Sequence, residues 1–235
     1  TSIFLTENAP PVEFAVINID PIDINLSAYQ GWTYTITGHF TGTFDTTGEA
    51  AEGQLAATVQ ANEIGQTRRV VLEVEGAAFL LDAALLKLEG VRWSNDYYVV
   101  DVNGRCTQDQ QSGTAIADLG ATQLIGGVSY AVPTGHRKDI SDSPAWQYTF
   151  APENVRLPAL HRTADSTVIL GADLWFSPDH NAVLVYEVSA TVEHVYLLWA
   201  DQESGNMVSG TLYLRYELDL HQLDVPPNIS VPNGC

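Results

Sequence analysis

The side chains with intrinsic reactivity are few and scattered. Histidines stand at 39, 136, 161, 180, 194 and 221, never four apart and never in a ligand pattern, and His39 falls on the wet side of its segment. Neither Gly-x-Ser-x-Gly nor His-Glu-x-x-His occurs, and the glycine patterns that cradle phosphates or dinucleotides are absent too. Asp101-Val-Asn-Gly and Asp139-Ile-Ser-Asp have the flavour of calcium loops but lack the spacing and the closing glutamate. No catalytic residue, metal site or cofactor is therefore expected, and the chain reads as non-enzymatic.

The two cysteines, Cys106 and Cys235, each end an Asn-Gly turn, with no Cys-x-x-Cys pair or histidine cluster beside them. A disulfide between them fits better than redox or zinc chemistry, and it points to an oxidising compartment. Asn25-Leu-Ser and Asn228-Ile-Ser match the glycosylation acceptor pattern. Ten basic against 29 acidic residues give a net charge of −19, which repels phosphate backbones and anionic lipid surfaces, so nucleic acid is not an expected partner.

Aromatic residues carry more information. Trp32, Tyr34, Ile36 and Phe40 share one parity of an alternating run from Trp32 to Phe44, whose other parity is Thr33, Thr35, Thr37, His39, Thr41 and Thr43. A period of two in aromatic and β-branched residues is a strand with one dry and one wet face. So long a strand must coil, and Gly38 and Gly42 on its dry parity are where it bends.

Alternation continues from Leu55 to Ala61 and from Val70 to Val74, completing a meander, and recurs at Trp93–Val102, in a hairpin over 168–192 and from Leu212 to Leu218. Residues 77–88 read as a short buried helix in preference to a strand pair, and 107–123 as at most one helical turn. Strands are expected near 124–132 and 146–150, separated by a wet loop. The expected fold is mainly β: a strongly curved antiparallel half-barrel with one or two short helices on the concave side.

Trp93, Tyr98, Trp146, Tyr148 and Trp175 also lie on predicted strands. With Trp32, Tyr34, Ile36 and Phe40 they form either an ordinary core or, since so little helix is predicted to cover the concave face, the lining of a cavity for an apolar small molecule or lipid. A single β domain over 26–235 is expected, preceded by an extended arm over 1–25. The arm carries Val12, Phe14, Val16, Ile17 and Ile19 between prolines at 10, 11 and 21. Those side chains need burial, either on the edge of their own sheet or on a neighbouring copy, which would make a homo-oligomer or filament.

The succession Leu26-Ser-Ala-Tyr-Gln, the threonine-rich strand, Ile140-Ser-Asp-Ser-Pro-Ala-Trp-Gln-Tyr-Thr-Phe150, Asp173-Leu-Trp-Phe-Ser, Ser209-Gly-Thr-Leu-Tyr-Leu-Arg-Tyr-Glu-Leu218 and the ending Pro227-Asn-Ile-Ser-Val-Pro-Asn-Gly-Cys235 resembles the lipoprotein-carrier superfamily. It is nearest to LppX/LprG-like lipoproteins and more distantly like LolA. The resemblance implies a non-enzymatic extracytoplasmic protein, secreted or held at a bacterial cell surface, folded as a half-barrel with helices across its open side and able to carry lipid between them.

Overall fold

The computed structural model describes residues 9–80, 85–198 and 206–235. In chain order the strands are β1 (Ile17–Ile19), β2 (Gly31–Phe44), β3 (Ala50–Asn62), β4 (Thr67–Glu75), β5 (Leu86–Trp93), β6 (Asp96–Val100) and β7 (Cys106–Gln108). After helices α1 (Gln110–Ala117) and α2 (Ala121–Leu124) come β8 (Gly127–Ile140), β9 (Ser143–Thr149), β10 (Val155–Arg156), β11 (Leu160–Ser177), β12 (Ala182–Leu197) and β13 (Val208–Leu218). All join one 13-stranded sheet in the order β1-β8-β9-β11-β12-β13-β2-β3-β4-β5-β6-β7, with β10 on β8. The sheet is antiparallel, curved and open, with the helices on its concave side.

Strict alternation sorts each strand into two faces. One register row, Tyr148-Leu174-Tyr186-Tyr216-Ile36-Ala57-Leu72-Leu88, crosses the sheet from β9 to β5 on the concave face. A second, Gln147-Trp175-Val185-Glu217-Thr35-Thr58-Val71-Glu89-Val100, crosses on the convex face. The concave row is almost wholly buried and belongs to one continuous core.

Several expectations need correction. Residues 86–88 belong to β5 rather than to a helix, while 81–84 lie outside the described residues. Ser94, at φ 57°, makes a tight turn that splits the expected strand Trp93–Val102 into β5 and β6. The supposed wet loop is strand: Ser141 and Asp142, with φ of 48° and 63°, supply the left-handed pair that a two-residue hairpin turn requires. The polar stretch 107–123 makes both helices, because Asp109 caps α1 by accepting the Ser112 N–H at 2.9 Å.

Helix α1 can lie close on the sheet because a glycine faces each side. A Cβ on Gly90 of β5 would stand 2.5 Å from the Ala117 nitrogen, and one on Gly113 of α1 would stand 2.4 Å from the Tyr97 Cβ. The arm also lands on its own sheet. Ile17 and Ile19 pair with Ala131 and Val128 of β8 and are 6% and 1% exposed. Val12 and Val16 do not pack; they are 89% and 48% exposed.

The Cys106–Cys235 disulfide ties β7 to the C-terminal tail, with Cα atoms 5.4 Å apart and a sequence separation of 129. The tail runs beside Arg69, Glu89 and Val100 on the convex face, where Ile229 is buried. Of the two acceptor asparagines, Asn228 on this tail is exposed, and Asn25 is half-buried with its amide donating to Asn181 Oδ1 at 3.3 Å.

Candidate functional site

The concave face is where the sequence places a ligand, and the structure brings part of the expected set there. Trp32 stacks on Tyr34 at 5.3 Å and Tyr34 tilts against Tyr216 at 4.9 Å. Ile36 and Phe40 continue the row, and Trp146 and Tyr148 stand across the sheet beside Phe176. Trp93, Tyr98 and Trp175 are on the other face. Trp93 and Val91, partner of Tyr98, share the parity of Glu89 in the convex row. Trp175 lies in that row itself, with the Lys138 ammonium 3.8 Å from its ring centroid.

These concave rings are covered by their own chain. Exposure is 4% at Trp32, 0% at Tyr34 and Ile36, 1% at Phe40, 9% at Trp146 and 2% at Tyr148. Ile19 and Ile22 of the arm and Leu26 just after it are buried over them, as are Leu119, Leu124 and Ile125 around α2. Phe79 lies on Gly53, opposite Phe40 in the register. Phe14 packs on Phe176 at 5.4 Å, and its carbonyl accepts the Tyr148 hydroxyl at 2.7 Å.

The cover is held down by a polar cluster. The Tyr34 hydroxyl donates to Asp23 Oδ2 at 2.8 Å and accepts the Ala121 N–H at 3.1 Å, joining arm, sheet and α2 at one atom. Arg68 sits over Trp32 and gives Nε to the Ala117 carbonyl and Nη2 to the Leu119 carbonyl, both at 3.0 Å. The first is one of the C-terminal carbonyls that the end of α1 leaves unpaired, and the second lies just beyond its C-cap Asp118. Arg92 pairs with Asp118 at 2.9 Å, and the Tyr97 hydroxyl also donates to that carboxylate. The groups border an open polar recess of about 260 Å³. Sequence reasoning missed them, although Arg68 carried a signal: it occupies the dry parity of β4 with Val70, Leu72 and Val74.

Burial pushes several tyrosine hydroxyls up. Tyr34 is raised by desolvation and then by the Asp23 charge, Tyr186 by desolvation and then Asp20, and Tyr216 well above the ordinary value by desolvation, Asp23 and Tyr34; Tyr148 is pushed up to about 12 by desolvation. The hydroxyls of Tyr186 and Tyr216 and the indole N–H of Trp32 are buried without a hydrogen-bond partner among the described residues.

Larger hollows lie elsewhere. A groove of about 460 Å³ borders Thr37, His39, Gln54, Glu73, Glu75 and Tyr213, most of them convex positions, with the His39 and Tyr213 rings 5.2 Å apart. Another, of about 410 Å³, lies beneath the C-terminal tail. Neither is lined by the concave aromatic residues. Among the described residues no group of three or more His, Cys, Asp or Glu is placed to hold a metal ion, and no helix is long and apolar enough to cross a membrane.

No protein-family model and no curated protein matches the chain. Among solved structures the chain is similar to a LolA superfamily protein from Nitrosomonas europaea, at 10% identity and TM-score 0.24 over 91% of this chain and 96% of that one. It is also similar to an outer membrane lipoprotein-sorting protein domain from Vibrio parahaemolyticus, at 7% identity and TM-score 0.27 over 88% and 92%. A DUF1329 family protein from Desulfovibrio piger matches at 9% identity and TM-score 0.23 over 86% and 92%.

Proposed function

We propose that the protein is a non-enzymatic extracytoplasmic structural subunit that associates with copies of itself, its curved sheet acting as a scaffold. The observation that carries this reading is the edge of β11. Strand β12 pairs with β11 from Thr167 to Ser177 and again, past a break in the ladder, at Leu160–Arg162, but on the other side β9 reaches only Leu174–Phe176, so Thr167–Ala172 has no second strand beside it among the described residues. Proteins shield strand edges with charge, proline or a covering element, and this stretch carries neither charge nor proline. Among the described residues Thr149, Phe150 and Pro152 border this edge at Leu170 and Ala172, and no strand covers the rest of it, which fits a partner.

A carrier of apolar ligands keeps a pocket of roughly 300–1,000 Å³. The burial of Trp32, Tyr34, Ile36, Phe40, Trp146 and Tyr148 under the arm and helices favours a scaffold over a container. The disulfide and the acidic surface suit an oxidising compartment outside the cytoplasm.

Sedimentation velocity over a hundredfold range of concentration, with solvent extraction and mass spectrometry of the same preparation, tests the reading. Concentration-dependent assembly without extracted lipid is expected. A strict monomer carrying stoichiometric lipid would restore the carrier.

A further inference from the structure

We infer that the groove of about 460 Å³ on the convex face binds a neutral oligosaccharide, a role that does not depend on the self-association proposed above. Its volume falls in the range of roughly 300–1,000 Å³ usual for small-molecule sites. Adjacent strands build it. Tyr213 of β13, His39 of β2, Gln54 of β3 and Glu75 of β4 stand side by side in one register row, about 14 Å from end to end at the ordinary strand spacing. In the next row Ala56 lies between Thr37 and Glu73, and its short side chain leaves the depression. The ladders that carry these residues run without a register shift, whereas those of β11 with β12, β12 with β13 and β8 with β9 each contain one. The lining therefore projects from a regular platform that fixes its geometry.

The chemistry of the lining selects the ligand. Thr37, His39, Gln54, Glu75 and Tyr213 form no side-chain hydrogen bond with another described residue, whereas Gln147, Asp173 and Arg215 on the same face are engaged with their neighbours. A phosphate or carboxylate calls for donors alone, and a cation for acceptors alone. This lining mixes the two, since Glu75 only accepts while Thr37, Gln54 and Tyr213 both donate and accept. A row of hydroxyl groups, each donor and acceptor at once, matches that mixture. Glu73 pairs with Lys87, so Glu75 is the unpaired charge among the described lining residues, and it disfavours anions.

At one end the rings of His39 and Tyr213, 5.2 Å apart, present an aromatic surface. A pyranose is a hydroxylated ligand that also carries a C–H face to lie against the electron-rich face of such a ring. The surroundings suit a longer chain of the same kind. Next to the groove the convex positions Thr41, Ser189, Thr191 and Thr211 are exposed and uncharged, in a protein with 29 acidic residues.

The test titrates the full chain by isothermal calorimetry with maltohexaose, cellohexaose and chitohexaose, and with hexagalacturonate and hexalysine as anionic and cationic counterparts. Binding of at least one neutral sugar is expected, and none of hexagalacturonate. Tyr213→Ala should weaken that binding about tenfold through loss of the aromatic surface. Glu75→Gln keeps the shape and removes the charge, and should weaken it about fivefold, the difference between a hydrogen bond to a charged and to a neutral acceptor. An unchanged circular dichroism spectrum and Tm qualify each variant. Amide NMR shifts of the wild type give a reading that needs no variant, since those of residues 37–39, 54–56, 73–75 and 213 should move on titration.

Failure of all three neutral sugars to bind overturns the inference, as do shifts confined to other parts of the sheet or hexagalacturonate binding as tightly as the neutral sugars. Hexalysine binding in place of sugar, lost in Glu75→Gln, would make the groove a cation site and overturn it as well. None of these readouts reports self-association, so the structural-subunit reading stands or falls separately by sedimentation.

Discussion

Replacing Tyr34 with phenylalanine deletes one oxygen at the point where arm, sheet and α2 meet, and its cost follows from the two bonds lost. Hydrogen bonds to charged groups contribute about 1.5–3 kcal/mol, and an orphaned buried N–H costs about 1–3 kcal/mol. Asp23 is half-buried and water can rehydrate its carboxylate, so the lower end applies to that bond. Ala121 is 0% exposed, and its N–H has no such recourse. Tyr34→Phe should therefore lose about 3 kcal/mol, equivalent to roughly 6–12 °C in Tm for a chain of this size. Tyr216→Phe is the matched control. It removes a hydroxyl of the same kind from the same face, but one with no partner among the described residues to lose, so stability should be unchanged or slightly raised. Urea unfolding followed by far-UV circular dichroism, with equal m-values, measures both. The reasoning fails if Tyr34→Phe stays within about 0.5 kcal/mol of wild type, or if Tyr216→Phe is as damaging.

Alkali should unfold the protein from within. With Tyr34, Tyr148, Tyr186 and Tyr216 raised above 10.0 in the folded state, stability is intact below about pH 10 and declines above it as the unfolded chain ionises; for Tyr148 the decline ends near its folded value of about 12. Each buried tyrosine steepens the loss by about 1.4 kcal/mol per pH unit, so absorbance at 295 nm should show their ionisation coinciding with unfolding; ionisation near pH 10 with the fold intact would contradict this. Removing the disulfide as Cys106→Ser/Cys235→Ser frees a loop with 129 residues of separation. In the chain-entropy treatment that costs about 5 kcal/mol, so a Tm drop of roughly 10–20 °C is expected by differential scanning calorimetry, and a shift under about 2 °C would refute it.

Alternation made the sheet legible, and two-residue turns limited how far. From Trp32 to Phe44 the parity of the sequence is the parity of the faces, because nothing interrupts β2. Across Ser94 it is not. The hairpin sets Trp93 opposite Asp96 and Val91 opposite Tyr98, so Trp93 and Tyr98 share the convex face while Tyr97 and Val99 turn to α1 and Gly90. A strand read through that turn sends Tyr98 to the wrong side, since one residue of register reverses every side chain. The polar cluster was hidden for a different reason. Arg68 meets backbone carbonyls of Ala117 and Leu119, and side-chain identities at 117 and 119 carry no trace of that contact.

Expecting a cavity from the shortage of helix treated helix as the only possible cover. What covers the concave face is mostly irregular or edge-bound chain. Ile22 and Leu26 come from the turns before β2, Phe79 from the turn after β4, Ile125 from the end of α2, and Ala159 and Leu160 from the approach to β11. Such segments show no period, so a search for amphipathic helices passes over them. Their polar groups still have to be satisfied, and that requirement leaves marks in the structure. The arm is tied by Tyr34 to Asp23 and by Arg156 to Asp20, and the turn after β4 by the Ala78 N–H to the Glu52 carbonyl. Cover fastened at so many polar points moves only by breaking several at once. That fastening is why the proposed scaffold reading treats the concave aromatic residues as a foundation for the sheet and looks for a partner at the edge that no described strand covers.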